Sequence, residues 1–193
     1  DEVYHARTAY EYNEGIYPYE ITHPPFGKSI ISLGTQMFGF NPFGWRFMGA
    51  LFGVLMLPLL YVFAKRLLKE TRWAAVATII FASDCMHYAL TRIATIDSYS
   101  VFFIIAMYFF MYEYTCRNYN KEPLYKTLIP LGLCGISFAL GAATKWICLY
   151  SAVGLFFIFF YTVYQRAAEY KAAKLDGDNT VTSGFRKNMV ITL

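Results

Sequence analysis

Charge is scarce in this sequence. Aspartate, glutamate, lysine and arginine make up 16% of its 193 residues, where a soluble domain carries about a quarter, so an ordinary water-soluble fold is a poor fit. The same shortage, set beside a hydrophobic share of 57%, excludes a disordered chain. The net charge is only +4 and is scattered among apolar blocks, without the basic stripe that nucleic-acid binding requires. Cysteine supplies no ligand set either. Cys85, Cys116, Cys134 and Cys148 lie in or beside apolar blocks without metal-ligand spacing, and they read as small buried hydrophobes.

What is abundant is apolar and aromatic surface, arranged in long blocks and not in short alternating runs. That pattern predicts an all-α, multi-pass integral membrane protein with about five transmembrane helices. Arg46 to Lys65 encloses an uncharged stretch long enough to cross a hydrocarbon core of roughly 30 Å, with Pro58 expected to kink it. The second span is read from Trp73 to Thr91 and the third from Ile96 to Tyr112. Leu128 to Tyr164 is too long for one crossing, and Lys145 divides it into two short ones joined by a tight hairpin.

Lysine and arginine then set the sidedness. The loops Lys65–Arg72 and Glu113–Lys126, and the segment Gln165–Asn188, are all cation-rich, and all fall on one side, the cytoplasmic one, when the spans are counted. The organisation expected is an extracytoplasmic loop over 1–45, five spans over 46–164, a cytoplasmic loop over 165–188 and the start of another span over 189–193. The sequence reads as a piece of a longer polypeptide, with at least one span expected before Asp1.

Asp1, Glu2, His5, Arg7, His23, Lys28, Arg92, Asp97 and Lys145 therefore gather at the extracytoplasmic face. Within the first loop, Phe26 to Phe38 separates at helical periodicity. Lys28, Ser29, Ser32, Thr35 and Gln36 take one side, and Phe26, Ile30, Leu33 and Met37 the other. A helix lying in the membrane interface has this pattern, and Pro25 suits its entry.

Several constellations carry chemical meaning beside a structural alternative. Asp1 and Glu2 fit a general base with its supporting carboxylate, or a solvated acidic loop. Arg92 and Asp97 bracket a turn, either as site residues or as interface anchors, and can pair only if the helix breaks between them. Asp84 and His87, three residues apart, read best as a structural polar pair and are too few to make a metal site, so no cofactor is named and metal dependence is left open. Lys145, next to Trp146, is a snorkelling anchor or a phosphate ligand. Lys28, Arg92 and Lys145 together bring three cations from separate segments to a face that also holds an acidic pair. That combination suits transfer from a membrane-anchored phosphate donor to a hydroxyl.

The ordered set Asp1-Glu2, His23-Pro24-Pro25-Phe26-Gly27-Lys28, Arg92 to Asp97-Ser98 and Lys145-Trp146 resembles the dolichyl-phosphate-mannose protein mannosyltransferase family, nearest to its bacterial phospholipid carrier-dependent members. The resemblance implies a polytopic C-type glycosyltransferase. It would move a sugar, expected to be mannose, from a polyprenyl or dolichyl phosphate to a hydroxyl acceptor, expected to be protein serine or threonine. The site would lie outside the bacterial plasma membrane. By resemblance, Asp1 is the base with Glu2 supporting it; Arg92, Lys28 and Lys145 are donor-phosphate ligands; His23 and Asp97 shape the site. The competing readings are a transporter subunit, whose polar groups would line a path near mid-membrane, and a purely structural membrane scaffold.

Overall fold

The structure, a computed structural model, describes residues 2–117, 124–175 and 177. Its elements are helices α1 (Glu2–Asn13), α2 (Phe26–Phe38), α3 (Pro42–Leu68), α4 (Thr71–Ala82), α5 (Cys85–Thr91), α6 (Asp97–Thr115), α7 (Leu124–Ala142) and α8 (Ile147–Leu175). The chain divides into two compact units, Asp1–Ala106 with Ser137–Tyr150, and Met107–Ile136 with Ser151–Leu193.

Among the described residues, Pro42–Leu68, Tyr125–Ala142 and Ile147–Leu175 are long and apolar enough to cross a membrane. The expected second span is not one straight helix. It breaks between Ala82 and Cys85 with a 60° bend, and counts as a fourth crossing only if the bent pair is one span. The break has a local cause. The Asp84 carboxylate caps α5 by accepting the His87 backbone N–H at 2.7 Å, which competes with continued helix. Asp84 and His87 are thus a cap and its first turn, not two side chains on one helical face. The third expected span corresponds to α6, which carries Asp97, Glu113 and several tyrosines and is not among those three.

In the first unit, α3 starts at Pro42 because the Asn41 side chain accepts the Gly44 N–H and proline occupies the first turn, where its missing N–H costs nothing. It ends at Lys69, in left-handed conformation (φ 57°), whose N–H donates to the Lys65 carbonyl. The core gathers Ala9, Ile31, Met48, Ala94, Ile96, Tyr99 and Phe103. Phe52 packs edge-on against Tyr99 and Phe102, with centroids 4.9 and 5.0 Å away.

The bounds of α2 are those its periodicity predicts, with Pro25 as the residue just before it. Its faces are used differently from a helix floating at an interface. Lys28, Ser32 and Thr35 are buried, while Leu33, Met37 and Phe38 are exposed. Ser32 Oγ donates to Asn13 Oδ1 at 2.6 Å, and Asn13 Nδ2 donates to Thr35 Oγ1 at 2.9 Å. The polar stripe is satisfied by Asn13 of α1 and by Glu20, whereas the apolar stripe is split: Phe26 and Ile30 pack against the core, and Leu33 and Met37 face away from it.

In the second unit, Arg166 on α8 is buried against Tyr114. It donates to the phenol oxygen at 2.6 Å and to the Tyr114 carbonyl at 3.0 Å, with its guanidinium 4.3 Å over the ring. Helix α8 runs to Leu175, so the segment expected to become a loop at Gln165 is helical for three further turns. Residues 178–193, and with them the expected start of another span, lie outside the described residues, as does Lys121. Cys134 and Cys148 are buried as expected. Cys85 and Cys116 are exposed, the first at the start of α5 and the second just past the end of α6.

Candidate functional site

The first loop folds back on α1 through Glu11. Its carboxylate accepts the Tyr19 N–H at 2.9 Å and the Arg7 Nε at 2.8 Å, and the Arg7 guanidinium lies 4.6 Å over the Tyr19 ring. This return brings Glu20 over the start of α2. There Lys28, only 1% exposed, is ion-paired to Glu20 and donates to the Glu20 carbonyl at 2.7 Å. Burial alone would raise the Glu20 carboxyl, but hydrogen bonds from Lys28 and Thr22 outweigh it and hold the group at about 2. Lys28 also reaches the His23 carbonyl at 3.4 Å. Its ammonium is committed to its own loop.

The glycine after Phe26 brings that loop to the rest of the site. A Cβ on Gly27 would stand 2.8 Å from Thr144 Cγ2 and 2.9 Å from Ile96 Cγ2, so only glycine permits this approach. The Phe26 N–H donates to the Ala143 carbonyl at 3.0 Å. The start of α2 is thereby fastened to the turn between α7 and α8, from which Lys145 reaches the Asp97 carboxylate, both side chains half-buried. These segments enclose a cleft of about 610 Å³ whose wall includes His5, Glu20, His23, Asp97 and Lys145.

The second acidic residue of the amino-terminal pair has its own set of partners. Glu2 Oε1 and Oε2 accept from Arg46 Nε and Nη2 at 2.6 and 3.0 Å, a two-point pairing. Oε1 also accepts the Trp45 indole N–H at 3.2 Å and the Ala94 N–H at 3.3 Å. The Arg46 hydrogen bonds hold the Glu2 carboxyl below its ordinary range. Through Ala94, Glu2 touches the turn that carries Arg92 and Asp97. Arg92 is exposed, with its guanidinium 4.8 Å over the Tyr88 ring and a hydrogen bond to that residue's hydroxyl. Arg46 and Arg92 line a mostly apolar cleft of about 620 Å³ with Phe43, Phe47 and Tyr88. The turn is seated on α3 by two more glycines. A Cβ at Gly49 would meet the Thr91 and Ile93 carbonyls, and one at Gly53 would overlap the Thr91 side chain.

Thus His23, Asp97 and Lys145 share one cleft, Arg92 opens into a second, and Glu2 reaches the loop between them. Arg92 and Asp97 do not pair; the break between α5 and α6 separates them, and each takes another partner. Asp1 lies outside the described residues.

Comparison with known proteins decides the family. The model of the dolichyl-phosphate-mannose-protein mannosyltransferases matches residues 38–183, well over half of the chain. The chain belongs to this family. Among curated relatives, a polyprenol-phosphate-mannose-protein mannosyltransferase of Mycobacterium tuberculosis is 28% identical over 73% of this chain and 29% of its own length. Its counterpart in Mycolicibacterium smegmatis is 29% identical over 84% of this chain and 34% of its own. Dolichyl-phosphate-mannose-protein mannosyltransferase 4 of Saccharomyces cerevisiae is 27% identical over 80% of this chain and 23% of its own. The chain spans about a third or less of the length of these relatives. No solved structure matches it.

Membership of this mannosyltransferase family agrees with an all-helical membrane protein and gives no support to a transporter subunit. The sequence reading missed two residues of this site. Arg46 reads as a span boundary, and only the fold shows it clasping a carboxylate forty-four positions away. Glu20 reads as one more loop charge. The signal that could have found both is arithmetic: an arginine at a membrane edge and a lysine on a helix face that must be buried each call for an anion.

Proposed function

We propose that this chain forms the donor-binding part of a lipid-phosphate mannosyltransferase acting on the outer face of a bacterial plasma membrane. The observation that carries this reading is the contact of Glu2 with the Ala94 N–H. It joins Glu2, one carboxylate of the acidic pair, to the turn bearing Arg92 and Asp97 within one unit.

In this reading the polyprenyl chain follows the apolar wall of the Arg46–Arg92 cleft, and its phosphate meets the Arg92 guanidinium. An acceptor hydroxyl, from a protein serine or threonine, attacks the anomeric carbon as the bond from that carbon to the phosphate oxygen breaks. The hydroxyl proton passes to Asp1, the configuration inverts, and the lipid phosphate leaves as an anion stabilised by cations already in place. Glu2 is the positioning residue, clamped by Arg46 and Trp45. Lys145 acts through Asp97 at the edge of the donor site, and Lys28 acts by holding Glu20 and His23 in the loop above it. In this reading the basic segments lie in the cytoplasm, and these groups share the outer face with the acceptor.

The test is transfer of labelled mannose from polyprenyl phosphate to a serine- and threonine-containing peptide, in membranes holding the protein. Asp1→Asn is expected to abolish transfer at unchanged protein level, and Arg92→Ala to raise the donor KM with little change in the acceptor KM. Near-normal transfer by Asp1→Asn would remove it as the base, and an unchanged donor KM would remove Arg92 from the phosphate.

A further inference from the structure

We infer that the cleft between His5, His23 and Lys145 receives the sugar ring of the donor, and that His5 is its specificity-determining residue. This deepens the mannosyl-transfer reading and rests on it.

Charge is the first argument. Every ion on the wall of this cleft already has its counter-ion, Lys145 with Asp97 and Glu20 with Lys28. An entering anion would meet two carboxylates and an entering cation would meet an ammonium, whereas a neutral ligand meets neither penalty. The Arg46–Arg92 cleft is the opposite case, with two guanidinium groups against the single carboxylate of Glu2. The two clefts therefore differ in charge, one balanced and suited to a neutral ligand, the other cationic.

Unpaired nitrogen is the second. His5 is 6% exposed, and its Nδ1 has no hydrogen-bond partner among the described residues; the same holds for Nδ1 of His23. Buried polar atoms are paired in folded proteins, so two orphaned nitrogens on residues that line one cleft mark where a ligand that draws the rings toward it supplies the missing bonds. Desolvation lowers the His5 titration below its ordinary value and keeps the ring neutral. A neutral imidazole offers one donor and one acceptor, the complement of a hydroxyl that both gives and takes a hydrogen bond. Tyr4 and Tyr19 add aromatic surface to the wall, suited to the C–H face of a pyranose. At about 610 Å³ the cleft falls within the range of small-molecule sites.

The test uses two readouts. In membranes supplied with polyprenyl-phosphate mannose or glucose and the acceptor peptide, His5→Phe is expected to raise the donor KM about tenfold and erase most of the preference between the sugars. His5→Gln, which keeps a donor and an acceptor, restores most of both, and the acceptor KM stays constant. An unchanged donor KM and preference in His5→Phe, or a change confined to the acceptor KM, would overturn the assignment. The second readout needs no transfer: saturation-transfer NMR of methyl α-mannoside with the detergent-solubilised protein. The signal is expected for the wild type and for His5→Gln, to disappear in His5→Phe, and to survive excess inorganic phosphate. Competition by phosphate, or no signal with the wild type, would overturn the sugar cleft even if transfer itself proceeds; signal without transfer would instead count against the mannosyl-transfer reading.

Discussion

Gly27 is the point where a single methyl group should separate the loop from the rest of the site. An alanine Cβ there would lie 2.8 Å from Thr144 Cγ2, and 2.9 and 3.1 Å from Ile96 Cγ2 and Cβ. None of these is the tip of a flexible chain, so relief requires the start of α2 to move away from the turn between α7 and α8. Overpacking of this kind costs about 1–3 kcal/mol, and lengthening the Phe26 to Ala143 hydrogen bond adds about 1 kcal/mol. The gain from alanine's better helix propensity, at most about 1 kcal/mol, offsets part of this. A net loss of about 1–3 kcal/mol would lower the midpoint of thermal unfolding by about 2–12 °C, using the size scaling for chains of this length. Gly132→Ala is the control. Gly132 lies inside α7, and its Cβ would meet nothing within 4 Å, so the same change should be neutral or stabilising. The assay is thermal unfolding of both variants in one detergent, together with transfer activity. Equal midpoints for Gly27→Ala and Gly132→Ala would refute the close approach and, with it, the joining of the His23 loop to Lys145.

Three further outcomes are expected. Glu2→Gln and Arg46→Met should each reduce transfer strongly, and the double variant should be no worse than the poorer single one, since both break the same clasp; fully additive losses in a double-mutant cycle would contradict it. His5 titrates below its ordinary 6.5 in the folded protein, so its contribution to stability is full above that value and is lost as pH falls from there toward the folded-state value. Unfolding midpoints should therefore drop on acidification below about 6.5, and drop less in His5→Gln; identical pH profiles would exclude His5 as the cause. Cysteines introduced singly at Lys69 and at Trp146, in a variant lacking the exposed Cys85 and Cys116, should react with an impermeant maleimide from opposite sides of the membrane, and labelling from one side alone would break the five-span topology.

Local pattern made α2 and α3 legible in the sequence. The stripe from Phe26 to Phe38 defines α2 to the residue, and the uncharged run between Arg46 and Lys65 marks the body of α3, because periodicity and hydropathy are local physics. Which way the α2 stripe faces was not legible. A polar stripe suits water or a buried partner equally well, and it is Asn13, nineteen positions before Ser32, that turns it inward. The same limit applies to charge. Arg92 and Asp97 are neighbours in sequence, yet the partner of Asp97 is Lys145, forty-eight positions on, and tertiary closure alone selects it. The second span reads as continuous because the apolar residues around it outweigh one aspartate in a window average, while the Asp84 cap stops the helix. The residues of the candidate site were named for their chemistry; their division between a charged apolar cleft and a neutral polar one exists only in the fold.

The most direct measurement of the donor site is photolabelling. A polyprenyl-phosphate mannose carrying a benzophenone near the phosphate end of its lipid chain would be irradiated in membranes holding the protein, and the adducts mapped by mass spectrometry. The expected adducts lie on Phe43 to Ala50 and Tyr88 to Ile93, the walls of the Arg46–Arg92 cleft, and vanish with excess unlabelled polyprenyl phosphate. Labelling spread evenly over the exposed apolar helices, or insensitive to that competitor, would contradict a donor site in this part of the fold.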